Sequence, residues 1–93
     1  MGTLEKFKVD SNKVVYRNVD GEAVILNLDN GYYYSLNTVG ALIWKHINKK
    51  KNASEILKIL KKTYKLPEKK LKKDLLELLN DLKKEKLIEV LKK

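Results

Sequence analysis

The stretch Asn30-Gly-Tyr-Tyr-Tyr-Ser-Leu-Asn37 carries three structural signals within eight residues. Together with Asp29 before it, Asn30-Gly31 predicts a two-residue hairpin turn, because these residues adopt positive φ values most readily. Residues 32–36 are predicted to form the returning strand, with Tyr32, Tyr34 and Leu36 on one face. Asn37 is a good N-cap, since its side chain can accept a hydrogen bond from the first turn of a helix.

The residues before this stretch predict the rest of a small sheet. Residues 14–16 fit a short strand, and Asp20-Gly21 is a turn signal. From Glu22 the sequence alternates between two faces, which is typical of a strand. Val24, Leu26 and Leu28 lie on the more apolar face, and Ala23, Ile25 and Asn27 lie on the other. We therefore expect Val24 to belong to the core, together with Trp44 further along the chain.

Three helices are predicted after the sheet, over about residues 37–48, 52–64 and 67–84. The first is apolar nearly all round, which favours a central position. Asn52 followed by Glu55 resembles a capping box, and Pro67 fits the first turn of the third helix. That third helix has a predicted core stripe and a second, exposed leucine stripe. The core stripe comprises Leu71, Leu75, Leu78 and Leu82, and the exposed stripe comprises Leu76 and Leu79.

The order of these elements predicts an α+β domain of the winged helix-turn-helix type. It has a small antiparallel N-terminal sheet of about three strands, followed by three helices. Residues 87–91 fit a last short strand or a docked tail, and residues 1–12 show no clear period. A chain of 93 residues is expected to form one domain, covering residues 1–93.

The charge of the chain is uneven. The net charge is +9, and all of it lies in residues 48–93, which carry sixteen lysines against seven acidic residues. Such a surface can attract an acidic peptide, nucleic acid or an anionic membrane, or can simply be solvated. Of the 21 basic residues only Arg17 is an arginine. Because base-reading surfaces favour arginine, this composition weighs against sequence-specific DNA recognition.

The sequence offers no recognisable catalytic group. His46 is the only histidine, there is no cysteine, and the four glycines are scattered rather than gathered in a phosphate-binding loop. We therefore expect no enzyme activity, no cofactor and no metal site. No apolar run approaches the ~18 residues that a membrane span needs, and no signal-peptide core is visible. A cytoplasmic location without membrane association is expected.

The run from Asp20 to Asn37, followed by Gly40, Trp44, Leu57, Tyr64, Leu75 and Leu87, resembles the PqqD-like family. These are the recognition elements of ribosomally synthesised and post-translationally modified peptides (RiPPs). The hairpin pattern Asp-x-Gly-x-Tyr-Tyr-x-Leu-Asn and the tryptophan resemble the stand-alone B1 proteins of lasso peptide biosynthesis most. The chain departs from the family pattern in three places. The residue run 48–51 and Lys86 stand where glycines are usual, and Pro67 stands where an aspartate cap is common.

The resemblance implies that the chain binds the leader segment of a precursor peptide and presents it to a leader peptidase or another modifying enzyme. In the family the leader adds as a strand beside the third strand, in a groove against the third helix. Carried over, the strand is residues 32–36 and the wall is the exposed stripe of helix three, with nearby lysines to attract an acidic leader. The expected peptide-binding residues are Tyr32, Tyr33, Tyr34, Ser35, Leu36, Lys69, Lys72, Lys73, Leu76, Leu79, Asn80 and Lys83.

Two other functions fit the sequence less well. A winged-helix DNA binder would place helix three in the major groove, but Asp74, Glu77 and Asp81 on that helix would face or flank phosphates. A basic membrane-surface module would need a more aromatic apolar helix face. The oligomeric state stays open between a monomer and a dimer paired through the free strand edge.

Overall fold

A computed structural model describes residues 6–10 and 12–91. Five strands and three helices are present in this part of the chain. In chain order they are β1 Lys6–Lys8, β2 Val14–Val19, β3 Glu22–Asn27, β4 Tyr33–Leu36, α1 Thr38–Asn48, α2 Ala53–Thr63, α3 Glu68–Lys84 and β5 Glu89–Leu91. The α+β class, the three helices and the winged arrangement are as predicted.

The main sheet is antiparallel, with the strand order β2-β3-β4. The two-residue hairpin turn is Asp20-Gly21, which joins β2 to β3 with Val19 paired to Glu22. Asp20 has a φ of 51° and Gly21 a φ of 81°, as the tight hairpin turn requires. Glycine at the second position adopts this conformation without the steric cost of a Cβ.

The prediction of a second two-residue turn at Asp29-Asn30-Gly31 is wrong. Asn27 donates its N–H to the carbonyl of Tyr32, so four residues, 28–31, form the loop between β3 and β4. Only Gly31 takes a positive φ there, at 75°. The Asn27 side chain accepts from the N–H of Asp29, and the Asn30 side chain accepts from the N–H of Tyr32. These side-chain bonds stabilise a wider loop than the dipeptide alone indicates.

The faces of β3 are the reverse of the prediction. Ala23, Ile25 and Asn27 are the buried residues, whereas Val24 is only half-buried on the outer face. Val24 is therefore not part of the core, although Trp44 is. The helices cover the buried face, where the small side chain of Ala23 leaves room for α1 and Ile25 is fully buried.

Local capping starts the first two helices as the sequence predicts. The Asn37 side chain accepts from the N–H of Gly40 at 2.9 Å. Asn52 and Glu55 form a complete capping box in which each side chain binds the other residue's main-chain N–H. Pro67 occupies the N-cap of α3 without a side-chain hydrogen bond. The asparagine caps fix the starts of α1 and α2, because each satisfies a free N–H of the first turn.

A second, two-stranded sheet pairs β1 with β5, and β1 was not predicted. Phe7 lies opposite Val90 in this pair, and its ring is fully buried. Of the two structures predicted for residues 87–91, a short strand or a docked tail, the strand is present as β5. It pairs with β1 rather than with β4. The remaining residues of the predicted irregular segment, 1–5 and 11, lie outside the described residues.

The core lies between the three-stranded sheet and the helices, with Trp44 of α1 at its centre and Tyr16 of β2 against it. The two rings meet edge to face with their centroids 5.4 Å apart. On α3 the fully buried positions are Leu71, Leu75, Leu79 and Leu82. Leu79, predicted to be exposed, is 0% exposed, and Leu78, predicted to be core, is half-buried. The helix is rotated by about one residue relative to the prediction.

Candidate functional site

Strand β4 is at an edge of the main sheet. Within the described residues it pairs only with β3. The bond from Asn27 N–H to the Tyr32 carbonyl identifies that pair as hydrogen-bonded, and hydrogen-bonded pairs alternate along an antiparallel ladder. The main-chain N–H and C=O groups of Tyr34 and Leu36 therefore point toward β3. Those of Tyr33 and Ser35 point away from β3 and outward from the edge of the sheet. An extended peptide could use these outward groups for pairing.

A groove of about 370 Å³ lies between this part of the chain and α3. Its strand side begins at the end of β4 and continues into the first turns of α1, and its other side is one flank of α3. The groove is lined by Ser35, Leu36, Asn37, Val39, Gly40, Ile43, Asp74, Glu77, Leu78 and Asp81. An open strand edge and a groove with an apolar floor thus occur together at one place on the molecule.

The groove floor depends on the absence of a side chain at Gly40. A Cβ at this position would lie 3.2 Å from the Leu36 Cβ and 3.4 Å from the Asn37 side-chain oxygen. The N–H of Gly40 also donates to that oxygen. Glycine therefore allows α1 to start directly beneath the end of β4.

The groove is acidic. All three charged residues in its lining are carboxylates, and Glu85 continues the same flank of α3 by one turn. The pKa of Tyr34 is raised above its ordinary value, first by burial and then by the negative charges of Glu85 and Asp81 and a hydrogen bond to Glu85. The carboxylates therefore bring a negative potential to the inner face of β4.

Of the five predicted strand residues, the structure places two in the lining of the groove. Ser35 and Leu36 line it. Tyr34 is half-buried and points inward, whereas Tyr33 is 69% exposed on the outer face of the sheet. Tyr32 is equally exposed and lies before the first residue of β4. The three tyrosines therefore do not line one side of the groove together: Tyr34 faces inward, and Tyr32 and Tyr33 are exposed.

The predicted helix residues are not brought to the groove. With 100° between successive helical residues, Lys72, Leu76 and Lys83 lie on the flank of α3 opposite to Leu78 and Asp81. Leu79 is in the core, and Asn80 is exposed on the outer side of the helix. Lys69 and Lys73 lie in a separate shallow depression with Pro67, at the N-terminal end of the helix. The expectation that Leu76 and Leu79 form an exposed groove wall is therefore corrected.

Sequence reasoning missed most of the residues that line the groove on its helical side. Asp74, Glu77 and Asp81 were considered only as obstacles to DNA binding, and Leu78 was assigned to the core. Their spacing of three and four residues was the signal, since it places all four on one flank. The groove is consequently acidic where a basic one was expected.

Other kinds of site are not supported in the described part of the chain. It contains no group of three or more His, Cys, Asp and Glu side chains arranged to hold a metal ion. His46 lies among Lys49, Lys45 and Lys51, away from the groove, and burial together with these charges lowers its pKa. None of the described helices has the length and apolar character that a membrane crossing requires.

The family profile described as Coenzyme PQQ synthesis protein D (PqqD) matches residues 22–88, which is most of the chain. The chain belongs to the PqqD family. The matched region starts at β3 and ends after α3, so it contains the open edge of β4 and both sides of the groove. No curated protein matches the chain.

Two solved structures have the same fold as this PqqD family member. The structure described as TbiB1 in complex with the TbiA(beta) leader peptide has a TM-score of 0.81 and 29% identity, over 92% of this chain and 99% of the other. The structure described as lasso peptide synthetase B1 complexed with the leader peptide has a TM-score of 0.79 and 20% identity, over 90% of this chain and 98% of the other. At 20% identity the second supports the fold alone.

Proposed function

We propose that this PqqD family member is a RiPP recognition element. It binds the leader segment of a ribosomally made precursor peptide and presents it to a leader peptidase or another modifying enzyme. The observation that carries the proposal is the outward-facing main chain of Tyr33 and Ser35 beside a groove of about 370 Å³. A peptide added there as a strand would satisfy those main-chain groups and bury its alternate side chains against α3.

The comparisons support this role and favour a particular pathway. The relative at 29% identity was solved with a leader peptide bound. The hairpin and Trp44 resemble the B1 proteins of lasso peptide biosynthesis, so we assign the chain to that pathway. In this role the protein performs no chemistry of its own. The groove lining, as far as the described residues define it, supplies main-chain groups, carboxylates and apolar contacts, which suit binding.

The structure weakens the DNA-binding alternative. On α3, which would be the recognition helix, the flank next to the sheet carries Asp74, Glu77 and Asp81. Carboxylates on that flank would repel the phosphate backbone, which dominates the affinity of proteins for DNA. Among the described residues, no lysine or arginine lines the groove to offset these carboxylates.

Proline substitution tests the strand-addition mode. Ser35→Pro removes an outward N–H and leaves the hydrogen bonds between β3 and β4 in place, so the fold should survive. We expect binding of the fluorescently labelled leader peptide of its precursor to fall by more than about tenfold, the equivalent of ~1.4 kcal/mol. Fluorescence anisotropy measures the binding, and circular dichroism verifies the fold.

Strand β2 provides the matched control, because it is the opposite edge of the same sheet. The N–H groups of Arg17 and Val19 face β3, so the N–H of Asn18 faces outward. Asn18→Pro should leave leader binding unchanged. If folded Ser35→Pro and Tyr33→Pro variants both bound the leader at full strength, strand addition at β4 would be disproved.

A further inference from the structure

The acidic side chains of α3 that line the groove lie on one flank of the helix, whereas its lysines are spread around the helix axis. Asp74, Glu77, Asp81 and Glu85 follow one another at steps of three, four and four residues, so they form a row along the groove flank. Lys69, Lys72 and Lys83 lie on the other side of the buried stripe, whereas Lys70 and Lys84 lie next to the acidic row. The chain has 21 basic residues and 12 acidic ones. Nevertheless, the charged residues that line the groove are acidic.

Glu77 and Asp81, the middle two carboxylates of this row, have no ion-pair partner among the described residues. Lys70 bridges Asp74 at 3.3 Å, whereas no salt bridge involves Glu77, Asp81 or Glu85 among the described residues. The groove residues contributed by β4 and α1 are all uncharged. Like charges four residues apart also disfavour the helix slightly, so this row weakens the free protein. A cation entering the groove would relieve that repulsion.

The spacing of the carboxylates suits an extended guest. Glu77 and Asp81 are one helical turn apart, which is ~6 Å along the axis. Every second side chain of a strand points to the same side, and these repeat at ~6.6 Å. A peptide strand on the edge of β4 would therefore present successive inward side chains at nearly the period of the carboxylates. The open strand edge suits an extended peptide, and the carboxylates suit basic side chains on that peptide.

We propose that the leader bound by this protein carries lysine or arginine at one or more of the alternate positions whose side chains enter the groove, where they pair with Glu77 and Asp81. This inference rests on the proposed function and refines it. It replaces the acidic leader expected from the composition. The preference belongs to these positions and not to the net charge of the peptide, because the lysine-rich remainder of the surface favours acidic residues outside the groove.

Selection from a display library of random 20-residue peptides tests the proposal. The wild-type protein is compared with the double variant Glu77→Gln/Asp81→Asn. The double variant Glu22→Gln/Glu68→Gln is the matched control, since it makes the same change of charge at two exposed sites outside the groove. Binders that Ser35→Pro abolishes are retained and sequenced, because only these use the edge of β4.

The expected result is an enrichment of lysine and arginine at one register of the retained binders, with alternate spacing where it occurs twice. Replacing that residue by glutamine should weaken binding to the wild type and to the control by about tenfold, and binding to the groove variant by less than about twofold. Two results would overturn the inference while leaving strand addition intact. One is that the retained binders show no enrichment of lysine or arginine. The other is that the glutamine replacement weakens binding to all three proteins equally. If no binder depended on Ser35, the proposed function would fall as well.

Discussion

At the scale of single residues, two lysines occupy positions that usually favour glycine. Lys50 follows α1 with a φ of 63°, and Lys86 follows α3 with a φ of 59°. Both helices end in a Schellman motif: Lys51 N–H donates to the His46 carbonyl, and Leu87 N–H donates to the Leu82 carbonyl. The resemblance to the PqqD family predicts glycine at these two places. The chain forms both helix ends with lysines in the left-handed conformation instead.

Replacing one of these lysines by glycine should stabilise the protein. Lys86→Gly removes the contact between a Cβ and the main chain that makes this conformation unfavourable, so the free energy of unfolding should rise by about 0.5–1 kcal/mol. Lys73→Gly is the control, because Lys73 is exposed inside α3 and glycine there should cost about 1 kcal/mol. Urea unfolding followed by circular dichroism measures both. A loss of stability in Lys86→Gly equal to that of Lys73→Gly would refute the account.

At the scale of the elements, the rotation of α3 about its axis decides what the groove contains. The helix buries Leu79, so Leu78 turns toward β4 and carries Asp74 and Asp81 with it. Leu76 lies on the opposite flank and is half-buried too. Two leucines of similar exposure on one helix thus provide a direct test of which flank the guest touches.

Truncating Leu78 should impair peptide binding, whereas truncating Leu76 should not. Leu78→Ala removes apolar surface from the groove, and we expect a loss of about tenfold in leader affinity, since burying part of a leucine contributes ~1–1.5 kcal/mol. Isothermal titration calorimetry with the leader measures the dissociation constant. Leu79 is unsuitable for such a test, because truncating a fully buried leucine costs about 2–5 kcal/mol of stability. A greater loss of affinity in Leu76→Ala than in Leu78→Ala would place the guest on the other flank.

The sequence predicted those elements whose determinants are local. Asn37, Asn52 and Glu55 specify the helix starts through side chains that bond within three residues, and the structure confirms them. The rotation of α3 could not be deduced in the same way. Leu78 and Leu79 are adjacent and chemically identical, so the pattern permits either to be buried, and the choice depends on packing against other elements.

The faces of β3 and the pairing of β1 were missed for a related reason. Val24 and Leu26 are more apolar than Ala23 and Asn27, yet the smaller side chains face the helices, since the room left by α1 and not hydrophobicity alone decides burial. β1 and β5 have three residues each and are more than 80 positions apart in the chain. Such short, distant partners leave no periodic signal.

At the scale of the whole molecule, the pairing of β1 with β5 leaves the outer edge of β4 unpaired among the described residues. Phe7 is the buried side chain of this second sheet, and β1 packs against α1. A C-terminal strand that paired with β4 would have occupied the edge at which we propose that the leader binds. The same segment pairs with β1 instead.

Phe7 should contribute a large part of the stability of the domain. Phe7→Ala is expected to lower the free energy of unfolding by about 3–5 kcal/mol, out of the ~5–15 kcal/mol typical of small proteins. Lys8→Ala, a change at the exposed neighbour on the same strand, should alter it by less than about 0.5 kcal/mol. Thermal and urea unfolding measure both variants. An unfolding midpoint in Phe7→Ala equal to that of the wild type would show that β1 is not part of the folded unit.

The register of β1 and β5 sets Lys6 beside Leu91. The first and last described strands of the domain are therefore neighbours, so the chain enters and leaves the domain at adjacent positions. A unit with this geometry can be spliced into a host chain with little disturbance to the residues flanking the insertion. Joined to a larger enzyme in this way, it would keep the outer edge of β4 available, because β4 takes no part in the β1–β5 pair.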